Sequence, residues 1–388
     1  MSLSNNMVQK LKDCGGLEEY LNEISTNKWK PHHNKRTTIE AYNELKRNLE
    51  PIQKTVETGA MADGIRTCLC EYKERFAQIE KQGESSETLL KELLSSDHIV
   101  FLNDHGPEHI SKVIERAYSI LCNSVDALNE FEAFVLLCAI QIHDIGNVLG
   151  RVGHEKKLHE IFDEKSSNII IDTPEKRVIK NIAMSHGGRT LDGSKDTISP
   201  LCTKEMILEA SIRTRFLAAV LRLADELADD STRANRDALN LKIVGVDSEI
   251  YHDYSKVLHT VKIAEDLANQ DHSIVLVYEL EASMLSKQYQ VGSSNKYLLD
   301  EIYDRTLKME QERRYCMKFM HPYINIGRID VKINIYGSFS QLLNKISYCL
   351  EDIAYPDKPY IGKIKEFDSS IPSGEEELQL IRAKGECI

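Results

Sequence analysis

The sequence lacks the features that mark membrane, secreted and disulfide-stapled proteins. No apolar run approaches the ~20 residues of a membrane-spanning helix, and the opening MSLSNNMVQKLKDCGG has no apolar segment typical of a secretory signal. The nine cysteines are an odd number and form no CxxC pair. Scattered free thiols fit a reducing cytosol better than a disulfide scaffold. We therefore expect a cytoplasmic protein that does not contact a membrane.

An excess of basic residues is also missing. The formal net charge is −12, whereas proteins that bind long nucleic acids or anionic membranes normally present a basic surface. A nucleotide substrate remains compatible with this charge, because a few local cations or a metal ion can hold a phosphate.

Internal repeats and low-complexity tracts are absent as well, and 388 residues suffice for more than one domain. Helical spacing dominates residues 1–96 and 97–237, whereas β-branched, partly alternating segments begin near 238. The predicted fold is mainly α: an N-terminal helical segment (1–96), a helical core (97–237) and a smaller α/β part (238–388). The predicted elements of the last part are strands at 239–246, 256–263, 273–280 and 328–337, with 256–263 and 273–280 as a hairpin, and a helix at 295–320. The tail after 365 is predicted to be poorly ordered.

Two adjacent ionisable residues, His143 and Asp144, end the apolar segment FEAFVLLCAIQI at 131–142. A buried charge is costly unless it is paired or bound to a metal. The pair could be a simple helix cap joined by a hydrogen bond, or it could bind one or two cations.

Two more histidines accompany helical segments. His109 lies one turn before Val113, beside the predicted buried face of a helix, where a hydrogen-bonded core histidine is the alternative to a ligand. His186 ends a helix that Gly187 and Gly188 stop. A protonated histidine there could simply be stabilised by the helix dipole.

Asp225 lies inside RTRFLAAVLRLADELADD (213–230), a helix that is apolar on nearly every side and therefore predicted to be buried. A carboxylate in that position needs a cation. Arg222, one turn earlier, could supply it, and a metal ion is the other candidate.

Taken in chain order, the ionisable residues on apolar helices are His109, His143, Asp144, His154, His186 and Asp225. Imidazole and carboxylate groups together suit Mn, Fe, Co, Ni or Zn. We therefore predict a centre for one or two divalent ions, with Mg as a further candidate.

The motifs EHISKV, HDIGN and LRLADELAD resemble, in this order, those of the HD-domain superfamily of metal-dependent phosphohydrolases. The resemblance covers about residues 97–237, and the layout from 97 onward is similar to HD domains with a C-terminal extension. It implies a helical core in which His109, His143, Asp144 and Asp225 bind one metal.

Within that superfamily, HDIGNVLGRVGH is most similar to deoxynucleotide triphosphohydrolases, with His154 where their catalytic histidine stands. The spacing is slightly longer, and Asn147 replaces a histidine. The GYP motif of cyclic dinucleotide hydrolases is missing, and Ile-Gly-Asn-Val follows His-Asp where alarmone hydrolases carry acidic residues.

Roles in the chemistry follow as hypotheses. His154 and His186 could move protons at neutral pH, or either could bind a second metal. Phosphate charge must be neutralised, and the candidates for binding the substrate are His105, Lys112, Arg116, Arg189 and Arg233. The alternative for each Lys or Arg is a surface cation, and the alternative for His105 is a hydrogen bond at the helix start.

The function predicted from the sequence is metal-dependent hydrolysis of (deoxy)nucleoside triphosphates by metal-activated water. The alternatives are a phosphodiesterase acting on cyclic or short oligonucleotides, and a module that senses a nucleotide through the same site. The expected partners are a nucleotide substrate, an allosteric nucleotide and further copies of the chain in a homo-oligomer, but no long nucleic acid and no membrane.

Overall fold

The computed structural model describes most of the chain. The described ranges are 3–26, 33–55, 106–149, 153–207, 209–228, 246–266, 271–292, 294–337, 340–351 and 363–384.

The N-terminal part is helical, as predicted. It contains α1 (Leu3–Asp13), α2 (Leu17–Ile24) and α3 (38–55). The Tyr20 hydroxyl donates a hydrogen bond to the Leu128 carbonyl oxygen at 2.7 Å, and the Gln53 side chain donates to the Gln141 carbonyl oxygen at 2.9 Å. These buried contacts fix the N-terminal helices on the central helices.

Five helices form the centre of the molecule. They are α4 (Pro107–Leu121), α5 (Glu130–Ile142), α6 (His154–Lys165), α7 (Thr173–Met184) and α8 (Thr214–Glu226), with a short 3₁₀ helix at Ile145–Leu149 and a two-stranded ribbon of β1 (Glu205–Ile207) and β2 (Ala210–Ile212).

Helix α5 lies at the centre of this group. Its first turn is fixed by a capping box, in which Asn129 and Glu132 each bond the other's backbone N–H. Every residue from Phe131 to Ile142 is buried. The segment Glu130–Leu149 is long and apolar enough to cross a membrane by composition, but 83% of its most apolar window is buried inside the protein. Such burial is typical of a core helix.

Helix α8 is buried as its sequence predicts, from Phe216 through Ala224. The Arg222 guanidinium turns away from Asp225 and forms an ion pair with Glu312, at 2.7 Å from Nε to Oε2. Arg222 is therefore not the cation that accompanies Asp225.

The C-terminal part is an α/β unit, as predicted. Its elements are α9 (Val246–Val257), β3 (Leu258–Asp266), β4 (Asp271–Glu281), α10 (Ala282–Leu285), β5 (Gln288–Val291), β6 (Ser294–Tyr297), α11 (Leu298–Met320), β7 (Ile326–Tyr336), β8 (Leu342–Glu351), α12 (Ile364–Phe367) and α13 (Gly374–Ala383). The main sheet has the order β3-β4-β7-β8.

The predicted hairpin is confirmed: β3 and β4 are antiparallel, with Val261 opposite Leu276. Strand β7 is parallel to β4, and helix α11 lies between them in the chain. Most of the predicted strand at 239–246 lies outside the described residues, and its last residue, Val246, begins helix α9.

The prediction of a poorly ordered C-terminal tail is wrong. Ser373 and Glu376 form a capping box that starts α13, and Leu378 and Ile381 are buried on its inner face. The Asn344 side chain of β8 donates to Glu377 at 2.7 Å. The acidic run GEEE suggested a solvated tail, but three of its charges lie in the first turn of a capped helix, where negative charge is favoured.

Candidate metal centre

Four of the predicted ligands meet where three central helices approach each other. His109 lies in the first turns of α4, His143 and Asp144 follow the end of α5, and Asp225 lies in the last turn of α8. His109 Nε2 is 3.2 Å from Asp225 Oδ1, and His143 Nε2 is 3.4 Å from Asp144 Oδ2. The structure therefore brings together the residues of all three motifs.

A second group of donors lies on the other oxygen of Asp144. His154 Nε2 is 3.1 Å from Asp144 Oδ1, and His186 Nε2 is 3.6 Å from the same atom. His154 opens α6, and His186 lies just beyond the end of α7. One carboxylate thus faces two sets of histidines, His109 with His143 on one side and His154 with His186 on the other.

Backbone carbonyls orient two of these rings. His143 Nδ1 lies 2.7 Å from the Ile140 carbonyl oxygen, and His186 Nδ1 lies 2.6 Å from the Ala183 carbonyl oxygen. Because a carbonyl oxygen can only accept, each Nδ1 carries the hydrogen. Nε2 of each ring is then the atom that faces the Asp144 carboxylate and the one left to bind a metal, as in metal-binding histidines.

A glycine brings the second group to the first. The backbone at Gly146, two residues after Asp144, lies so close to the start of α6 that a Cβ atom there would stand 2.0 Å from the His154 carbonyl oxygen. Since that obstacle is backbone, it cannot rotate away. Gly146 therefore permits the approach that sets His154 beside Asp144.

The charges of the centre are strongly coupled. Burial opposes protonation of His143, but the carboxylates of Asp144 and Asp225 outweigh it and hold the pKa of His143 well above its usual value. Burial likewise opposes ionisation of Asp225, but His109 and His143 outweigh it and hold its pKa well below the usual value. The centre without metal therefore binds a proton that an entering cation would displace.

The donor set fits a divalent cation. His143 Nε2 is fully buried and, among the described residues, has no hydrogen-bond partner of normal geometry. Asp144 is 8% exposed and faces this nitrogen. A buried imidazole nitrogen beside a carboxylate is an environment that a metal ion satisfies once the proton is displaced. His109, His143 and Asp144 could hold one ion, and Asp144, His154 and His186 could hold another.

The predicted substrate-binding residues are more dispersed. Lys112 forms an exposed ion pair with Glu115, whereas Arg116 is buried and donates from Nε to the Leu227 carbonyl oxygen at 3.1 Å. Arg189 lines a cleft beside His186 and donates to the Gly193 carbonyl oxygen at 2.7 Å. His105 and Arg233 lie outside the described residues. Substrate contact by any of the five stays a prediction.

Sequence reasoning missed Glu155. Its Oε2 atom lies 3.6 Å from His154 Nδ1, whereas Asp144 faces the other ring nitrogen, Nε2. The only indication in the sequence is its position directly after His154. Acidic residues are common in the first turn of a helix, so this position alone does not predict a functional role.

Comparison with known proteins agrees with this geometry. The HD-CE family model matches residues 88–308, more than half of the chain, and the chain belongs to that family. No curated protein and no solved structure matched the chain. The family and the His/Asp cluster together support a metal-dependent hydrolase.

Proposed function

We propose that this HD-CE protein hydrolyses phosphate esters of nucleotides with the help of divalent ions, and that (deoxy)nucleoside triphosphates are its substrates. The observation that carries the proposal is the shared carboxylate of Asp144, with His143 Nε2 at 3.4 Å from Oδ2 and His154 Nε2 at 3.1 Å from Oδ1. Divalent ions bound here would supply Lewis-acid polarisation of a phosphoryl oxygen and activation of a water molecule.

The histidines of the centre have different roles in the proposed reaction. The side chains of His109, in α4, and His143, directly after α5, are fully buried, so we assign them to metal binding. His154 is 20% exposed and directly precedes Glu155, which lines the neighbouring cleft, so its imidazole could exchange a proton with substrate or solvent. His186, held by the Ala183 carbonyl oxygen, completes the second group.

For a nucleoside triphosphate, the proposed reaction joins the oxygen of water to the α-phosphorus. The bond from that phosphorus to the 5′ oxygen breaks, and the 5′ oxygen takes up a proton. The products are a nucleoside and tripolyphosphate. The similarity of HDIGNVLGRVGH to deoxynucleotide triphosphohydrolases supports this substrate.

A phosphodiesterase is the second candidate. A pair of donor groups joined by one carboxylate would suit two ions, and two ions can stabilise both the attacking and the leaving oxygen of any phosphodiester. The same centre would then cleave a cyclic or short oligonucleotide.

A substrate panel tests the proposal. The chain is loaded with Mn²⁺ or Mg²⁺ and offered the common ribo- and deoxynucleoside triphosphates, singly and mixed, with cyclic nucleotides alongside. Products are resolved by anion-exchange chromatography and mass spectrometry. We expect a nucleoside and intact tripolyphosphate, and a requirement for a mixture would identify an activating nucleotide.

The controls use two aspartates in different surroundings. Asp144→Asn should abolish turnover, whereas Asp163→Asn, whose side chain is 51% exposed and paired with Lys180, should not. Cleavage of cyclic or linear diesters alone would favour the phosphodiesterase. Tight nucleotide binding without turnover would favour a nucleotide sensor and contradict the proposal.

A further inference from the structure

A cleft of about 680 Å³ opens beside the second donor group. Glu155, the residue after His154, lines it, and so do Ser185 and Gly187 on either side of His186. The opposite wall is the loop at 189–201. This volume falls within the range of about 300–1,000 Å³ that is usual for small-molecule sites. A molecule in the cleft would therefore lie next to the centre.

The walls of the cleft carry little positive charge. Lys156 and Arg189 face three carboxylates, those of Glu155, Asp192 and Asp196. A triphosphate chain brings about four negative charges, which proteins neutralise with clustered cations or metal ions. The cleft is therefore a poor site for a polyphosphate.

Two of those carboxylates are held in the ionised form. Hydrogen bonds from Thr190 and Ser194 lower the pKa of Asp192. Burial opposes ionisation of Asp196, but hydrogen bonds from Tyr315 and Ser199 outweigh it and lower the pKa of this carboxyl. The remaining surface is largely apolar and is lined by Met184, Leu191, Pro200 and Leu201.

The far wall is fixed by the C-terminal part of the chain. The Tyr315 hydroxyl of α11 donates to Asp196 Oδ1 at 2.7 Å and accepts from the Ile198 N–H at 2.9 Å. Arg222 of α8 donates to Thr197 Oγ1 at 2.9 Å, while its other nitrogens bond Glu312 of α11. The loop is thus hydrogen-bonded both to α11 and to α8, the helix that carries Asp225. The cleft is therefore formed before a ligand enters.

From these contacts we infer that the cleft is the subsite for the uncharged organic part of the phosphate ester, a nucleoside in the reaction proposed above, and that Tyr315 is the positioning residue for its wall. The inference rests on the proposed function. The phosphate groups then lie on the Asp144 centre and away from the cleft. The C-terminal extension acquires a role in shaping the substrate site.

The first test fills the cleft. Ser199→Trp adds a large side chain to the wall, and Met206→Trp adds one at a β1 position that is 68% exposed and outside the cleft. Binding of deoxyadenosine, deoxyguanosine, thymidine and tripolyphosphate, each alone, is measured by calorimetry on Mn²⁺-loaded protein. We expect Ser199→Trp to weaken nucleoside binding by about tenfold or more, with tripolyphosphate binding and Mn²⁺ content unchanged. Met206→Trp should change none of the three.

The second test removes one hydroxyl group. Tyr315→Phe should raise the KM for the nucleotide several-fold and leave kcat unchanged, because only the organic part loses its fixed wall. Tyr297→Phe is the matched control, since that hydroxyl bonds Gln288 away from the cleft.

The outcomes separate the inference from the proposed function. Equal nucleoside binding in the wild type and Ser199→Trp, or loss of tripolyphosphate binding instead, would overturn the inference while leaving the hydrolase intact. Failure of the proposed function would appear as no turnover of any phosphate ester by Mn²⁺-loaded wild type. The binding experiment still decides the inference in that case.

Discussion

The two donor groups around Asp144 are built in different ways. His109 and His143 are fully buried and belong to α4 and the end of α5, whose apolar faces form the core. His154 and His186 lie at a helix start and just beyond a helix end, and His154 is 20% exposed beside the cleft. The first group is part of the packed core, whereas the second depends on loops. We therefore expect the first group to hold its ion in the core, and the second to hold an ion next to the substrate.

Removing the carboxylate that joins the two groups should have the largest effect. Asp144→Asn takes away the negative charge that faces both pairs of histidines, so we expect loss of all bound Mn²⁺ and of turnover. Metal analysis and the nucleotide assay measure this. If the variant is folded by circular dichroism and still binds Mn²⁺ or still turns over nucleotide, the role assigned to Asp144 is contradicted.

Variants of the first group should lose almost as much. His143→Ala or Asp225→Ala removes a donor that only the core can supply, so the ion of the first group and turnover should be lost while the protein stays folded. Arg222, the nearby cation, already pairs with Glu312 and cannot compensate. Retained activity in either variant would refute the assignment of this group.

The second group should be separable from the first. In His154→Ala, the ligands of the first group are unchanged, so we expect that ion to remain. Turnover should fall by about 10²–10⁴-fold, as is usual when a proton-transferring group is lost. Parallel measurement of Mn²⁺ content and kcat checks the separation. Complete metal loss in this variant would show that the two groups bind as one unit.

The packing of Gly146 against α6 offers a finer test of the same difference. A Cβ atom at Gly146 would overlap the His154 carbonyl oxygen, so Gly146→Ala should push α6 outward. We expect a loss of about 1–3 kcal/mol of folding free energy and a loss of turnover resembling that of His154→Ala. For stability, Gly187→Ala is the control, because no atom lies within 4 Å of the added carbon. Equal melting temperatures for the two variants would contradict this reasoning.

The smallest effect concerns the pH dependence of stability in metal-free protein. The pKa of His143 is raised in the folded state, so its contribution is fully present below the unfolded value of about 6.5 and is lost as pH rises through the folded value. The pKa of Asp225 is lowered, so its contribution is lost only in strong acid. The metal-free protein should therefore unfold more easily at alkaline than at near-neutral pH, and Mn²⁺ should reduce that difference. Thermal unfolding across pH, with His143→Ala for comparison, measures it.

The sequence named the residues of both groups, but only the first group follows from helical periodicity and the three motifs. Apolar spacing and the three motifs located His109, His143, Asp144 and Asp225 because each lies on a helix whose periodicity is visible. The geometry that brings His154 to Asp144 depends on the contact at Gly146, which couples residues that periodicity does not relate. The hydrogen bond from buried Arg116 to the Leu227 carbonyl oxygen is likewise not predictable from periodicity, because it joins segments that are distant in the sequence.

Tertiary context also explains the errors in the C-terminal part. Strand β8 was not predicted, because Asn344, Lys345 and Ser347 interrupt its apolar pattern, yet β8 pairs along β7 from Arg328 to Tyr336. The acidic first turn of helix α13 dominates the sequence pattern over Leu378 and Ile381, so the pattern alone predicts a poorly ordered tail. The domain boundaries at 96 and 237, the oligomer and the compartment stay predictions.

The most direct test of the account is the number of Mn²⁺ ions held by each chain, measured by mass spectrometry of dialysed protein for the wild type, His186→Ala and Asp144→Asn. The account predicts about two ions for the wild type, about one for His186→Ala and none for Asp144→Asn. A wild type that retains no metal, or an Asp144→Asn variant that retains as much as the wild type, would contradict it.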